Sequence, residues 1–369
     1  MNYLYHLYIE FLSKYGIPEL FGNITFYFIP FCIIAIALLV VVLALVLIER
    51  KLLGWLTQRK GPNRVGFWGV LQTLADAFKL LTKENITPDK SDKFLFNLAP
   101  ILVFIPAMTV LGIIPYSAEF TFVNTSTNVI LYLILAAFPV LSIFLGGWAS
   151  NNKYSLMGAM RGIAQVLSYE VPITFVVLSV VVLASSMNLT GITLAQYSRL
   201  GVLGWFGLPC VIGFVIMFIC ILAELNRCPF DLPEAESELI CGYNTEYSGM
   251  RFAIFYLTEY ALLFANSLFL AIMFMGGYLS PFGVYLSNLI CQDSSICSIL
   301  LYFEQAFWLI LKASLIIFVV IWIRATLPRL ASFDLLKFSW SLLLPLSILN
   351  LFLMVLYKFI TGGGICILS

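Results

Sequence analysis

Charge is what this 369-residue chain has least of. Asp, Glu, Lys and Arg make up only 11% of it, while 62% is apolar. A soluble domain carries about 25% charged residues, so the composition excludes an ordinary globular protein and a disordered one. Its 20 Lys and Arg nearly cancel its 19 Asp and Glu, leaving a formal charge of +1. Nucleic acid as a partner, which calls for a basic excess, has no support. Histidine occurs once, as His6, and no two of the eight cysteines form a CxxC pair. Zinc, haem and iron–sulfur centres need His and Cys at tight spacing, so neither a metal site nor a cofactor bound by this chain alone is expected. Glycine loops for phosphates are missing too, since Gly362–Gly364 lacks a Lys-Ser/Thr ending.

Apolar length is what the chain does have. A bilayer core of about 30 Å takes about 20 apolar residues per helix. Eight stretches meet that length, at roughly 24–48, 94–115, 129–150, 163–187, 201–223, 252–279, 299–323 and 338–357. Helices close their own backbone hydrogen bonds, and the short alternating pattern of barrel strands is absent. The expected fold is all-α: a polytopic membrane protein of eight transmembrane helices, read as a single membrane domain over 1–369 because no internal repeat is visible. Amphipathic interfacial helices are expected as well. Leu4, Leu7, Tyr8, Phe11 and Leu12 share one face of 3–12, and no cleavable leader precedes the first span.

Basic residues crowd one side. Nine stand in the connection 49–93, two each follow spans three and five, and three follow span seven, against Lys14, Arg199 and Lys358 opposite. By the positive-inside rule the crowded side faces the cytoplasm or the mitochondrial matrix.

Three features break the apolar pattern. Glu170, Glu259, Glu304 and Lys312 fall inside spans, where a charge costs about 2.5–3.5 kcal/mol on insertion scales. Either they form structural ion pairs, Lys312 with one of the glutamates for instance, or they exchange protons in a low dielectric. Second, an acidic loop over 224–251 carries Glu224, Asp231, Glu234, Glu236, Glu238 and Glu246 against Arg227 and Arg251. Glu234 and Glu238 would share a face in a helical turn and repel. A solvated loop is one reading; the neighbouring Phe230, Leu239 and Ile240 favour a loop folded back into the protein. Third, the basic loop 49–93 holds a cationic turn, Gln58–Gly66, and then an amphipathic helix over 67–81. Phe67, Val70, Leu71, Leu74, Phe78 and Leu81 form its stripe. Such a helix either rests on anionic headgroups or caps an opening between spans.

These segments resemble the subunit 1 family of proton-translocating NADH:ubiquinone oxidoreductase, respiratory complex I. The likeness runs through Glu49–Gly54, Arg59–Gly66 with Gln72 and Ala75-Asp76, and Ser168-Tyr169-Glu170. It continues through Ala223–Glu238, Gly242–Met250, Glu259-Tyr260 and Arg324–Arg329. It covers essentially the whole chain in order. The resemblance implies a membrane subunit that forms part of a quinone access tunnel and couples quinone reduction to proton translocation. It places Arg50, Arg59, Arg64, Gln72, Asp76 and Lys79 along the quinone path. Proton coupling would fall to Glu170, Glu224, Asp231, Glu234, Glu236, Glu238, Glu246 and Glu259. Glu49, Arg227, Lys312, Arg324 and Arg329 would be structural charges. Ubiquinone would be the substrate, with NADH, FMN and iron–sulfur clusters held by partner subunits. The expected partners are iron–sulfur subunits of the peripheral arm, antiporter-like and small membrane subunits, and lipids including cardiolipin. A mitochondrial inner membrane is the expected location and a bacterial plasma membrane the alternative. A related membrane-bound hydrogenase subunit and a secondary ion transporter are the competing readings. One stretch departs from the family: Leu330, Ala331, Ser332, Phe333 and Asp334 stand where an aromatic, Arg, Tyr, Asp and Gln are expected.

Overall fold

The computed structural model of the protein describes residues 19–198, 201–285, 287 and 295–361, and these contain helices and turns but no strand. His6, the expected interfacial helix 3–12, Lys14 and Arg199 lie outside the described residues. In chain order the helices are α1 (Glu19–Leu56), α2 (Gln72–Thr82), α3 (Lys93–Ile113), α4 (Asn128–Ala149) and α5 (Lys153–Ala184). They continue with α6 (Leu189–Ala195), α7 (Val211–Glu224), α8 (Glu236–Leu239), α9 (Gly249–Phe274), α10 (Ser295–Thr326) and α11 (Ser332–Ile360).

Six of these, α3, α4, α5, α9, α10 and α11, are long and apolar enough to cross a membrane. The expected first span lies within α1, a 38-residue helix. The expected fifth is shorter than its apolar run, because only the 14 residues of α7 are helical. That is about 21 Å at 1.5 Å per residue, less than a bilayer core. Its first third is spent otherwise. Gly201 has φ +62°, where an added Cβ would stand 2.0 Å from the Pro281 carbonyl oxygen. The Gly207 amide donates to the Phe274 carbonyl at 2.8 Å, and Pro209 keeps the helix from starting earlier. Six of the eight expected spans are thus matched by length and composition among the described residues; the first lies in α1, many of whose side chains lie outside the described ones, and the fifth is the short α7.

Helix ends follow local chemistry. Asp92 caps α3 by accepting from the amides of Phe94 and Leu95, and Asn152 caps α5 by accepting from Tyr154. Expected span six stops five residues early, at Phe274, because Gly276 and Gly277 turn left-handed with φ +69° and +49°. The amphipathic helix expected over 67–81 starts only at Gln72. Gly66, Trp68 and Gly69 all have positive φ, so Phe67–Gly69 is a 3₁₀ turn. A Cβ at Gly69 would meet the Pro62 carbonyl oxygen at 2.2 Å.

Helix α9 is the most enclosed of the spans, with 78% of its most apolar window buried against 22% for α11. Helices α3 and α10 pack most extensively against it, with α1, α2, α6 and α7 also in contact, while α5 packs against α4, α7 and α11. Small residues set the closeness. A Cβ at Gly158 on α5 would stand 2.8 Å from the Pro233 carbonyl oxygen and 2.9 Å from Gly242 Cα. One turn on, at Gly162, it would stand 3.1 Å from the Pro233 ring. These glycines let the connection between α7 and α9 lie directly on α5. Gly158→Ala is expected to cost about 1–3 kcal/mol by overpacking, and Gly162→Ala less. Thermal inactivation of the assembled protein checks both.

Candidate functional site

Much of the connection between α7 and α9 is buried, as Phe230 and Leu239 imply, although Ile240, expected to face inward with them, is 67% exposed. Phe230, Leu232, Ala235 and Leu239 are each 5% exposed or less. Gln165 of α5, itself fully buried, donates to the carbonyls of Ala223 and Phe230, both at 2.7 Å. That amide ties the end of α7 to the start of the loop, and no motif marked it in the sequence. The last connection closes over the other side, where the Leu330 amide donates to the Pro229 carbonyl at 3.1 Å.

Two arginines flank one glutamate at the foot of this loop. Glu49 is 2% exposed and accepts from Arg227 at 2.7 Å and from Arg324 on its second oxygen. Arg227 lies 4.5 Å from the centroid of the Tyr260 ring. The Glu49 carboxylate outweighs the burial of the Arg227 guanidinium and holds its proton more firmly than usual. Three separate elements, α1, the loop and α10, meet at this ion triad.

From there carboxylates follow one another inward. Asp231 accepts from Arg329 at 2.9 Å through Oδ2, while its Oδ1 is buried without a hydrogen-bond partner. Burial, then the neighbouring Glu234, push the Asp231 carboxyl up to about 6 against the pull of Arg329 and Arg324. Glu234 accepts from Asn244 at 2.8 Å and meets Glu259 of α9. Glu259 in turn accepts from the Tyr243 hydroxyl at 3.2 Å. A cavity of about 40 Å³ is lined by Glu259, Tyr243, Glu224 and Asn266. A second, of about 220 Å³, is lined by Glu224, Asn266, Tyr132, Thr174 and Glu170. Glu224 and Asn266 line both.

Other expected residues stand apart. Glu238 does not share a helical face with Glu234. Ala235 is non-helical, with φ −44° and ψ 88°, so α8 begins only at Glu236, and Glu238 turns outward to Arg161. Glu246 accepts from Asn152 at 2.7 Å near the cap of α5. The Glu236 side chain lies outside the described ones. Glu304 caps the amide of Ser287 at 2.9 Å and accepts from the Trp308 ring N–H. Lys312 pairs with no carboxylate among the described residues. Its ammonium donates to the carbonyls of Met275, Gly277 and Leu279 at 2.6–2.8 Å, using all three donors at the end of α9.

In the basic loop, Arg50 on α1 is bonded to Asp76 on α2, and Gln72 donates to the same carboxylate at 3.1 Å. This pair pins α2 beside α1 with Phe67, Leu74, Phe78 and Leu81 outward, all of them exposed. Arg59, Arg64 and Lys79 are exposed on the same loop. Ser168 and Tyr169, beside Glu170, hold the start of α11. Ser339 donates to the Ser168 carbonyl at 2.6 Å, and the Tyr169 hydroxyl donates to the Leu335 carbonyl at 3.2 Å.

Residues 29–355 match the family described as NADH dehydrogenase. This chain belongs to that family. It is similar to an NADH-quinone oxidoreductase subunit of Brevibacillus brevis, at 45% identity over 88% of this chain and 91% of that protein. It is also similar to the corresponding NADH-quinone oxidoreductase subunit of Bacillus mycoides, at 43% identity over 88% and 93%. Both relatives are bacterial, which favours a bacterial plasma membrane over the mitochondrial inner membrane first expected for this NADH dehydrogenase family member.

Two outcomes follow from the site's electrostatics. Arg227→Met leaves Glu49 buried with half its pairing, and the expected loss of about 3–5 kcal/mol is partly recovered in Arg227→Met/Glu49→Leu, read by thermal inactivation. The Asp231 carboxyl, raised in the folded state, contributes stability present below its unfolded value of 3.8 and lost as pH rises through about 6. Asp231→Asn therefore gains stability relative to the unaltered protein between pH 4 and 7, measurable as a pH series of inactivation temperatures.

Proposed function

We propose that this chain is the quinone-site membrane subunit of an NADH:quinone oxidoreductase and couples quinone reduction to proton translocation through its buried acids. Its membership of the family supports the enzyme and its multi-subunit assembly; FMN and iron–sulfur clusters belong to partner subunits. The names carried by its relatives favour this reading over a hydrogenase subunit or an ion transporter. The membrane is a bacterial plasma membrane, with the basic loop 49–93 on the cytoplasmic face and in reach of anionic lipids such as cardiolipin.

One observation carries the coupling: the two cavities share Glu224 and Asn266, so acids run without interruption from the loop to the middle of α5. Carboxylates this close in a low dielectric titrate as a group, and a charge change at one end redistributes the protons of all. Asp231, Glu234 and Glu259 receive the change, Glu224 relays it and Glu170 delivers it toward neighbouring membrane subunits. The quinone enters between α1, α2 and α9, where the exposed apolar stripe of α2 suits an isoprenoid chain. Arg59 and Arg64 attract its polar head, with Arg50, Gln72, Asp76 and Lys79 holding the entrance in shape.

Glu259→Gln in the intact complex, assayed in inverted membrane vesicles, tests the reading. Quinone reduction by NADH and proton uptake per electron are both expected to fall, because a glutamine carries no exchangeable carboxyl proton. Unchanged proton uptake per electron would take Glu259, and the continuous series with it, out of the mechanism.

A further inference from the structure

Asn266 lines both cavities beside Glu224, and each end of its amide has its own partner. It is 1% exposed in the middle of α9. Its Nδ2 donates to Glu224 Oε2 at 3.2 Å, and its Oδ1 accepts from the Tyr132 hydroxyl at 2.6 Å. The Tyr132 ring lies flat on Phe269, one turn further along α9, with centroids 3.9 Å apart and planes 5° from parallel. That stacking aims the hydroxyl at the amide. Tyr132 is 2% exposed and lines the larger cavity with Glu170 and Thr174.

We infer that Asn266 and Tyr132 form a two-position switch that reads the protonation of Glu224 and passes it to the Glu170 cavity. The inference rests on the acid series described above. An ionised Glu224 accepts only, and the amide meets it with N–H, as observed. A protonated Glu224 offers an O–H, for which the amide oxygen is the matching partner. Half a turn of the amide supplies that oxygen and carries Nδ2 to the Tyr132 oxygen, which accepts as readily as it donates. The tyrosine O–H is then released from the amide and turns into the cavity that Glu170 lines. Asn266 and Tyr132 neither gain nor lose a proton in this exchange; one proton arrives on Glu224, and the direction of two hydrogen bonds reverses. An aliphatic residue at 266 would leave Glu224 without a donor, and a phenylalanine at 132 would remove the partner of both positions. Asn266 and Tyr132 are positioning residues, acting through Glu224.

The test uses the whole complex in membrane vesicles, with assembly checked by the amount of complex recovered. Tyr132→Phe keeps the ring stacking, and Asn266→Leu keeps the side-chain volume. Each is expected to lower protons moved per electron by about fivefold, the bias that one net hydrogen bond supplies. In a Glu224→Gln background neither substitution lowers the ratio further, because the group being read is gone. Asn266→His, which also offers a donor and an acceptor, is expected to restore part of the ratio. Full stoichiometry in both Tyr132→Phe and Asn266→Leu, with loss in Glu224→Gln, overturns the switch and leaves the acid series standing. Full stoichiometry in Glu224→Gln overturns both.

Discussion

A carboxylate taken out of water must find a cation, a donor or a proton, and the architecture of this protein is arranged around that demand. Glu49 meets it with two arginines, Arg227 and Arg324, contributed by segments nearly two hundred and nearly three hundred residues away in sequence. Their convergence fixes α1, the acidic loop and α10 at one point. Once the loop is anchored there, Gly158 and Gly162 let it lie on α5, and Asp231 and Glu234 come to rest under the protein surface. Further inward no ion pair forms among the described residues, although Arg227 still acts on Glu259 through space. Glu259 and Glu224 meet tyrosine, asparagine and other acids instead, so the demand must be answered by protons. The gradient from paired to unpaired carboxylates gives the site a direction.

The same logic separates the structural charges from the working ones. Lys312 is buried and uses its three donors on carbonyls where α9 ends, which fixes that end against α10. Arg50 and Gln72 both donate to Asp76, which joins α2 to α1. Glu238 and Arg161 form a rim pair, and an exposed ion pair contributes little to stability. The acids left with polar, uncharged neighbours are the ones that line cavities.

Much of this was legible in the amino-acid order. Long apolar runs announce most of the spans, and acids inside those runs announce where the bilayer rule is broken. The burial of the 224–251 loop was foreshadowed by Phe230 and Leu239 beside its charges. Less visible was anything set by backbone conformation or tertiary fit. Positive φ at Gly66, Trp68 and Gly69 shortens the amphipathic helix, and Gly201 with Pro209 shortens the fifth apolar run, although its hydropathy continues unbroken. A period of 3.6 put Glu234 and Glu238 on one face, but the non-helical Ala235 between them parts them. Gln165, Tyr243, Tyr132 and Asn266 carry no motif at all. Nothing short of the packed helices shows that a neutral amide stands between Glu224 and the Tyr132 hydroxyl.

The central claim is that buried carboxylates change their protonation when a quinone is reduced beside them. Redox-difference infrared spectroscopy on the intact complex measures this directly. The account predicts carboxylic-acid carbonyl bands that appear or shift on quinone reduction, and that are altered when Glu224 or Glu259 is replaced by glutamine. A difference spectrum with no carboxyl signal, or one untouched by either replacement, would contradict it.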